Sequence, residues 1–114
     1  MISLQLILCT FPNREQARQI GTALIQKQLA ACVNFIPGIE SIYRWEGNIE
    51  HAEEVLAVFK TSTELTAILI ETLATLHPYE VPEIIAISPT DALATYAKWA
   101  VDSVTSSPIC GCED

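Results

Sequence analysis

The order in which strand-like and helix-like apolar patterns follow one another constrains this chain more than any single motif. Short apolar runs predict four strands, over residues 2–10, 31–45, 54–61 and 83–88. Apolar stripes at helical spacing predict three helices, which begin after Asn13, after Thr63 and after Thr90 or Asp91. The resulting order, β-α-β-β-α-β with a helix after it, is that of the ferredoxin-like split βαβ fold. We therefore expect an α+β domain with a four-stranded antiparallel sheet and both crossover helices on one face.

Breaker residues refine this prediction. Pro37-Gly38 interrupts the second strand, so we expect a bend there before the apolar pattern resumes. Glu46-Gly47-Asn48 has the composition of a turn and predicts the tip of a long hairpin that projects beyond the compact body. His77-Pro78 ends the second helix, because the residue before a proline is driven out of the helical region.

Composition indicates that other copies of the chain cover part of its surface. Half of the 114 residues are apolar and only 18% are charged, against about 25% in a typical globular chain. A domain of this size has much surface to cover, and the projecting hairpin leaves strand edges unpaired. We predict one domain over residues 1–104 that forms a homo-oligomer, and a flexible tail over residues 105–114.

Charge and hydropathy argue against several classes of protein. Six Lys and Arg against 14 Asp and Glu give a net charge of −8, which is unsuited to nucleic acid, because phosphates require clustered cations. No apolar run in the sequence approaches the ~20 residues of a membrane span. The apolar N-terminal run has no basic residue before it and no small-residue cleavage site, so we expect no secretory leader, reduced cysteines and a cytoplasmic protein.

Three segments carry a resemblance to a known family. They are residues 29–34 (LAACVN), 43–47 (YRWEG) and 77–83 (HPYEVPE), with Leu8-Cys9-Thr10 near the start. Through them the chain resembles the CutA, or divalent-cation tolerance, proteins over nearly the whole domain. The resemblance implies a tight ferredoxin-like homotrimer with strands paired between subunits, and a link to tolerance of copper and other divalent metals. It also implies a likeness to nitrogen-regulatory signalling trimers.

Cys9 and His77 are the candidate ligands of a copper or similar soft-metal site. They lie at the ends of the first strand and the second helix, which can lie close together in this fold, and thiolate and imidazole suit such metals. The resemblance supports the pair, because copper sites proposed for the family use these positions, although some members carry a second histidine where this chain has Leu76. The alternatives are a packed core thiol for Cys9 and a cap on the last helix carbonyls for His77.

Cys110 and Cys112 form a separate candidate site in the tail. Two thiolates that flank a glycine can chelate one soft ion, and Glu113 and Asp114 add negative charge. A structural zinc site needs four ligands, and this motif supplies two. The alternative is a mobile tail with incidental thiols.

A set of aromatic, charged and thiol side chains is expected to line a polar cleft between subunits. Its members are Cys32, Tyr43, Trp45, Lys60, Tyr79, Glu80 and Glu83. Lys60 interrupts an apolar strand and, when buried, needs a carboxylate partner. The cleft is then either an ion-paired interface that closes the trimer or a pocket for a small anionic effector.

The sequence contains no recognised catalytic constellation, such as a nucleophile and base with a third orienting group, a Walker loop or HExxH. We therefore expect no enzymatic activity and no organic cofactor, and we predict a trimeric protein that binds or responds to metal ions. One alternative is a signalling-type trimer that binds an anionic effector or a partner protein. Another is a hydrolase that works in the cleft with Cys32, His77 or Tyr79.

Overall fold

The computed structural model describes residues 3–105, which form four strands and three helices. In chain order these are β1 (Leu4–Phe11), α1 (Arg14–Gln26), β2 (Cys32–Trp45), β3 (Asn48–Ser62), α2 (Thr66–Leu76), β4 (Ile84–Ile87) and α3 (Ala94–Thr105). The strands form one sheet in the order β2-β3-β1-β4, and every neighbouring pair is antiparallel. This is the ferredoxin-like arrangement, so the predicted fold class is confirmed.

One face of the sheet is covered by both crossover helices, and we call it the closed face. Side chains alternate between the two faces along a strand, and every second residue of the two central strands points to this side. The buried cluster contains Ile7, Cys9 and Phe11 of β1, Val55, Ala57 and Phe59 of β3, and Leu24, Leu69 and Leu73 of the helices. The main hydrophobic core therefore lies between the sheet and the pair α1 and α2.

The opposite face, which we call the open face, is covered in part by α3. This helix contacts β3 and β1, and its Ala100 and Val104 are buried. Several apolar side chains on the open face keep partial or large exposure, namely Leu6, Leu8, Leu56, Val58, Ile85 and Ile87. A single chain thus completes its core on one side of the sheet and leaves the other side incomplete.

The hairpin of β2 and β3 contains the predicted bend. Its pairing register shifts between Ile36 and Ile39, and Gly38 there has a φ of 73°, a left-handed conformation that glycine adopts without strain. The Pro37-Gly38 pair therefore forms a bulge within a continuing strand.

The tip of the hairpin is a two-residue turn. Glu46 and Gly47 have φ values of 50° and 84°, and Trp45 pairs with Asn48 across the turn, as in the turns whose twist matches that of the strands. The predicted start of β3 at residue 54 is wrong. The strand begins at Asn48, because backbone pairing continues through its polar residues to the tip.

Two of the predicted helix boundaries are confirmed in detail. Asn13 Oδ1 accepts from the Gln16 amide N–H at 2.9 Å and so caps α1. At the other boundary α2 ends at Leu76, and His77 has an extended backbone with ψ of 141°.

The two other predicted caps are wrong. Thr63 donates through its hydroxyl to the Ser3 carbonyl oxygen at 2.9 Å, and α2 begins three residues later at Thr66. Asp91 Oδ1 accepts from the Ala92 amide at 2.9 Å, and α3 begins only at Ala94. In both places a short polar side chain bonds to a backbone group outside the helix instead of starting it.

Candidate functional site

The ring of His77 links the end of α2 to β1. Its Nε2–H donates to the Thr10 carbonyl oxygen (2.7 Å), and its Nδ1 accepts from the Tyr79 amide N–H (3.1 Å). These partners require the neutral tautomer with the proton on Nε2. Burial lowers the pKa of His77, although its hydrogen bond to Thr10 acts in the opposite direction. The ring also stacks on Phe11 with centroids 4.8 Å apart, so His77 is a neutral, fixed side chain at pH 7.

Cys9 is fully buried in the core of the closed face. Its Sγ lies 3.8 Å from the Thr10 carbonyl oxygen, the same atom that accepts from His77. Burial raises the pKa of Cys9 to about 12, and the negative charges of Glu83 and Glu54 add to the rise. The side chain is therefore a protonated thiol at neutral pH.

The predicted closeness of Cys9 and His77 is present, since both side chains converge on one carbonyl oxygen. In this arrangement, however, both ring nitrogens of His77 are engaged and Cys9 is not a thiolate. No group of three or more His, Cys, Asp or Glu side chains within residues 3–105 is placed to hold a metal ion. The pair is therefore not preformed for a metal: the donor types suit a soft ion, but binding requires Cys9 to lose its proton and the His77 ring to leave Thr10.

Tyr79 connects this buried pair to the cleft. Its ring centroid lies 4.8 Å from that of His77, and its hydroxyl donates to Glu54 Oε2 at 2.6 Å. Burial raises the pKa of Tyr79, and the hydrogen bond to the Glu54 carboxylate raises it further. Tyr79 therefore stays a phenol and forms the wall between His77 and the cleft.

The cleft lies between the hairpin and residues 78–83, the segment that links α2 to β4, and its volume is about 740 Å³. Five of the seven predicted cleft residues line it: Tyr43, Trp45, Tyr79, Glu80 and Glu83. Its other lining residues, which were not predicted, are Thr10, Glu40, Ser41, Ile42, Glu54, Pro78 and Val81. The predicted aromatic residues and two of the predicted acids are thus brought together, and Glu40 and Glu54 make the cleft more acidic than expected.

Cys32 and Lys60 lie elsewhere on the open face. They pair across β2 and β3, and Lys60 also pairs with Leu6 of β1, whereas the cleft begins at Thr10. The strand register therefore separates them from the cleft of the same chain. α3 contacts β3, the strand of Lys60. Burial raises the pKa of Tyr96 in this helix, and interactions with Cys32 add to the rise.

Lys60 contacts no carboxylate within residues 3–105, so the ion pair expected for it at the subunit interface stays a prediction. Its ammonium donates to Asn34 Oδ1 and lies 3.9 Å from Cys32 Sγ. The ion pair found within residues 3–105 is Lys98 with Asp102, on the exposed side of α3. Within the chain, the Asn34 amide oxygen and contact with water stabilise the positive charge of Lys60.

Glu54 is the most informative residue that sequence reasoning missed as part of the site. It is only 7% exposed and lines the cleft. One sequence feature could have identified Glu54 as a site residue. It directly precedes the apolar run of β3 and lies two residues before Leu56, so strand alternation places it on the open face with Leu56 and Val58. The signal is weak because a charged residue at a strand end is usually solvated.

Two further predictions concern the tail site and membrane-spanning segments. Cys110 and Cys112, the candidate tail site, lie outside the described residues. None of the helices in the described part of the chain is long and apolar enough to cross a membrane.

The fold and this site define the class: a ferredoxin-like domain with a long hairpin, an acidic aromatic cleft and a buried Cys-His pair behind it. Residues 5–103 match the model of the family described as CutA1 divalent ion tolerance protein, and the chain belongs to that family.

Individual relatives support the same conclusion. The "Divalent-cation tolerance protein CutA" of Thermus thermophilus is 43% identical over 95 residues, which are 83% of this chain and 92% of that protein. "Protein CutA" of Mus musculus is 46% identical over 98 residues, and the match covers 86% of this chain but 55% of the mouse protein. The crystal structure of CutA from Xylella fastidiosa is similar with a TM-score of 0.87 and 37% identity, over 90% of this chain and 98% of that one.

Proposed function

We propose that this protein acts as a homotrimer in divalent-cation tolerance and binds copper or a similarly soft metal ion through Cys9 and His77. Membership of the family supports the first part. The observation that carries the metal assignment is the convergence of the two side chains on the Thr10 carbonyl oxygen. Cys9 would supply a thiolate and His77 an imidazole nitrogen, a donor set that suits Cu(I).

Metal binding at this pair is coupled to a local change. Cys9 must lose its proton, and the His77 ring must exchange its hydrogen bond to Thr10 for a metal bond. The proposed affinity therefore depends on pH, because a bound metal replaces the thiol proton. At higher pH the thiol deprotonates more readily, so binding strengthens as pH rises.

The trimer is supported by the open face. Monomeric proteins rarely expose large contiguous apolar patches, and here the open face and the hairpin expose many large side chains, among them Ile36, Ile42, Trp45, Ile85, Ile87 and Trp99. Further copies of the chain would cover them and pair the free strand edges.

Sedimentation at low micromolar concentration tests the trimer. Ile85→Asp, on the open face, is expected to cause dissociation, whereas Ile68→Asp, on α2 and equally exposed at 48%, leaves assembly intact. A monodisperse, folded species of 12.5 kDa for the unmodified chain would contradict the proposal.

The tail thiols Cys110 and Cys112 are proposed as a second, independent soft-metal site. Two thiolates can together hold Cu(I). Removal of residues 110–114 should eliminate this class of site and leave the fold unchanged, because the pattern of the core ends at Val104.

Anaerobic Cu(I) titration with a competing chelator tests both sites. Either variant, Cys9→Ser or His77→Ala, should eliminate the site that these two residues form. The truncation should eliminate the tail site. Cys32→Ser and His51→Ala serve as matched controls, because they remove the same ligand types outside the proposed pair. If the truncation alone removes all binding, the Cys9-His77 site does not operate in this protein.

We also propose that the protein has no catalytic role and works in the cytoplasm. The two cysteines described, Cys9 and Cys32, are both free thiols, as is usual in a reducing compartment. Relatives occur elsewhere as well, since one from Arabidopsis thaliana is named chloroplastic and one structure from Archaeoglobus fulgidus is titled periplasmic. Fractionation of the native host with an antibody to this chain tests the location.

A further inference from the structure

The cleft is far larger than a metal ion requires. Its volume of about 740 Å³ falls in the range of sites that bind small organic molecules, roughly 300–1,000 Å³. It is formed by three separate parts of the chain, namely the hairpin, the end of β1 and residues 78–83. The cleft therefore has room for an organic ligand, and its lining indicates which kind.

The lining is strongly acidic. Glu40, Glu54, Glu80 and Glu83 contribute carboxylates, and no Lys or Arg of the described chain lines the cleft. The whole chain adds a net charge of −8. A small anion would be repelled from this surface, whereas a cation would be drawn to it.

Glu54 supplies the most specific observation. Glu54 as a whole residue is more than nine-tenths buried, and it lines the cleft. Oε2 accepts from the Tyr79 hydroxyl, but Oε1 accepts no hydrogen bond from any residue in the range 3–105, and no Lys or Arg there forms an ion pair with it. A buried carboxylate without a counter-ion is costly, so a bound cation would compensate it.

Aromatic rings complete the cleft. Tyr43, Trp45 and Tyr79 line it together with the carboxylates. The faces of aromatic rings attract organic cations, and Trp and Tyr with nearby acids are the usual means of binding alkylated ammonium groups. A hydrated metal ion gains little from such rings, because its preferred partners are oxygen, nitrogen or sulfur atoms.

We propose that the cleft binds a small organic ammonium ion, whose positive charge is compensated by Glu54 and whose alkyl groups contact Tyr43 and Tyr79. This binding is separate from the proposed metal site, because Cys9 and His77 lie behind Tyr79 and do not line the cleft. The two proposals can therefore fail independently.

The test uses choline as the probe and its neutral carbon analogue, 3,3-dimethylbutan-1-ol, as the matched ligand. Both are titrated calorimetrically into the full chain with EDTA present, so that metal ions do not contribute. Choline is expected to bind saturably and at least about tenfold more tightly than the neutral analogue, because only choline carries the charge.

Variants then assign the site. Glu54→Gln keeps the size of the side chain and an acceptor for Tyr79, and it should weaken choline binding about tenfold. Tyr43→Leu should weaken it about threefold through loss of the ring. Glu53→Gln is the matched control, since its carboxylate is exposed, adjacent in sequence and outside the cleft, and binding should stay within about twofold.

Several results would overturn the proposal. They are the absence of saturable choline binding, equal binding of the neutral analogue, and an equal loss in Glu53→Gln and Glu54→Gln. If a basic side chain from another copy already compensates Glu54, choline will not bind and Glu54→Gln will weaken assembly instead, which also overturns it. Sedimentation of each variant checks assembly, and Glu83→Gln replaces Glu54→Gln if the latter does not assemble.

Discussion

The two faces of the sheet are made by the same strands, and yet one is finished by its own chain and the other is not. On the closed face, Ile7, Cys9 and Phe59 have no exposed surface beneath α1 and α2. On the open face, Ile85 and Ile87 remain 48% and 41% exposed, and α3 covers only part of the sheet.

This difference in packing separates the side of the sheet that stabilises the fold from the side that is available to other molecules. A closed face that is fully packed within one chain provides the folding energy of that chain. An open face with apolar side chains and free edges is suited to contact with other molecules. Cys9 and His77 belong to the first environment, whereas the cleft, Lys60 and Cys32 belong to the second.

The difference in packing between the two faces is tested most directly by truncating neighbouring residues that point to opposite faces. Phe59→Ala removes a fully buried ring and should lower the free energy of unfolding by about 3–5 kcal/mol. Val58→Ala removes a half-buried side chain on the open face and should cost much less. Urea denaturation at two protein concentrations measures both effects, and equal costs would show that the two faces are equally packed.

The hairpin provides a second test, which asks whether exposed side chains outside the closed face contact a neighbouring subunit. Trp45→Ala removes a large aromatic side chain near the tip, which we expect to anchor a neighbouring subunit, and it should cost about 2 kcal/mol of assembly free energy. Removal of the tail serves as the control and should leave assembly unchanged. A variant that remains trimeric with the same melting temperature would show that the tip faces solvent.

The cap of α1 provides a smaller test on the closed side. Asn13→Ala removes the acceptor of the Gln16 amide and should lower stability by about 1 kcal/mol. Assembly should not change, because the cap lies on the helix that covers the closed face. Thermal unfolding and sedimentation together separate the two effects, and a change in oligomeric state would contradict the assignment.

The smallest expected effect is the pH dependence that His77 contributes. Its pKa is lowered in the folded chain, chiefly by burial, so below its ordinary value of about 6.5 the unfolded chain binds more protons than the folded one. The free energy of unfolding should therefore fall as pH drops through about 6.5, and the loss is complete below the folded pKa.

The variant His77→Gln isolates this contribution. Its stability should be lower at pH 8, because the contact between α2 and β1 is weakened, but flatter with pH in this window. Urea denaturation between pH 5 and 8 measures the slope for both proteins. If the slopes of the two proteins agree, another group is responsible for the dependence.

Short-range signals in the sequence predicted most of the fold correctly. The start of α1 at Asn13, the end of α2 at His77-Pro78 and the bend at Pro37-Gly38 all depend on atoms within a few residues. Alternating apolar residues predicted the strands, because side chains of a strand alternate whatever the partner is. The cleft residues Tyr43, Trp45, Tyr79, Glu80 and Glu83 could be selected because they cluster in two short segments.

The remaining features depend on which distant strands become neighbours. The register of β1 with β3 places Glu54 near the cleft and Lys60 away from it, and nothing local to either residue specifies that register. The partner of the His77 ring is 67 residues earlier in the chain, so the sequence could predict a nearby Cys9 but not the bond to Thr10 that engages the ring. Thr63 and Asp91 carried the composition of helix caps, but their side chains found other partners. A hydrogen bond forms with whichever group the packed chain brings within about 3 Å, and that geometry exists only after the sheet and helices have assembled.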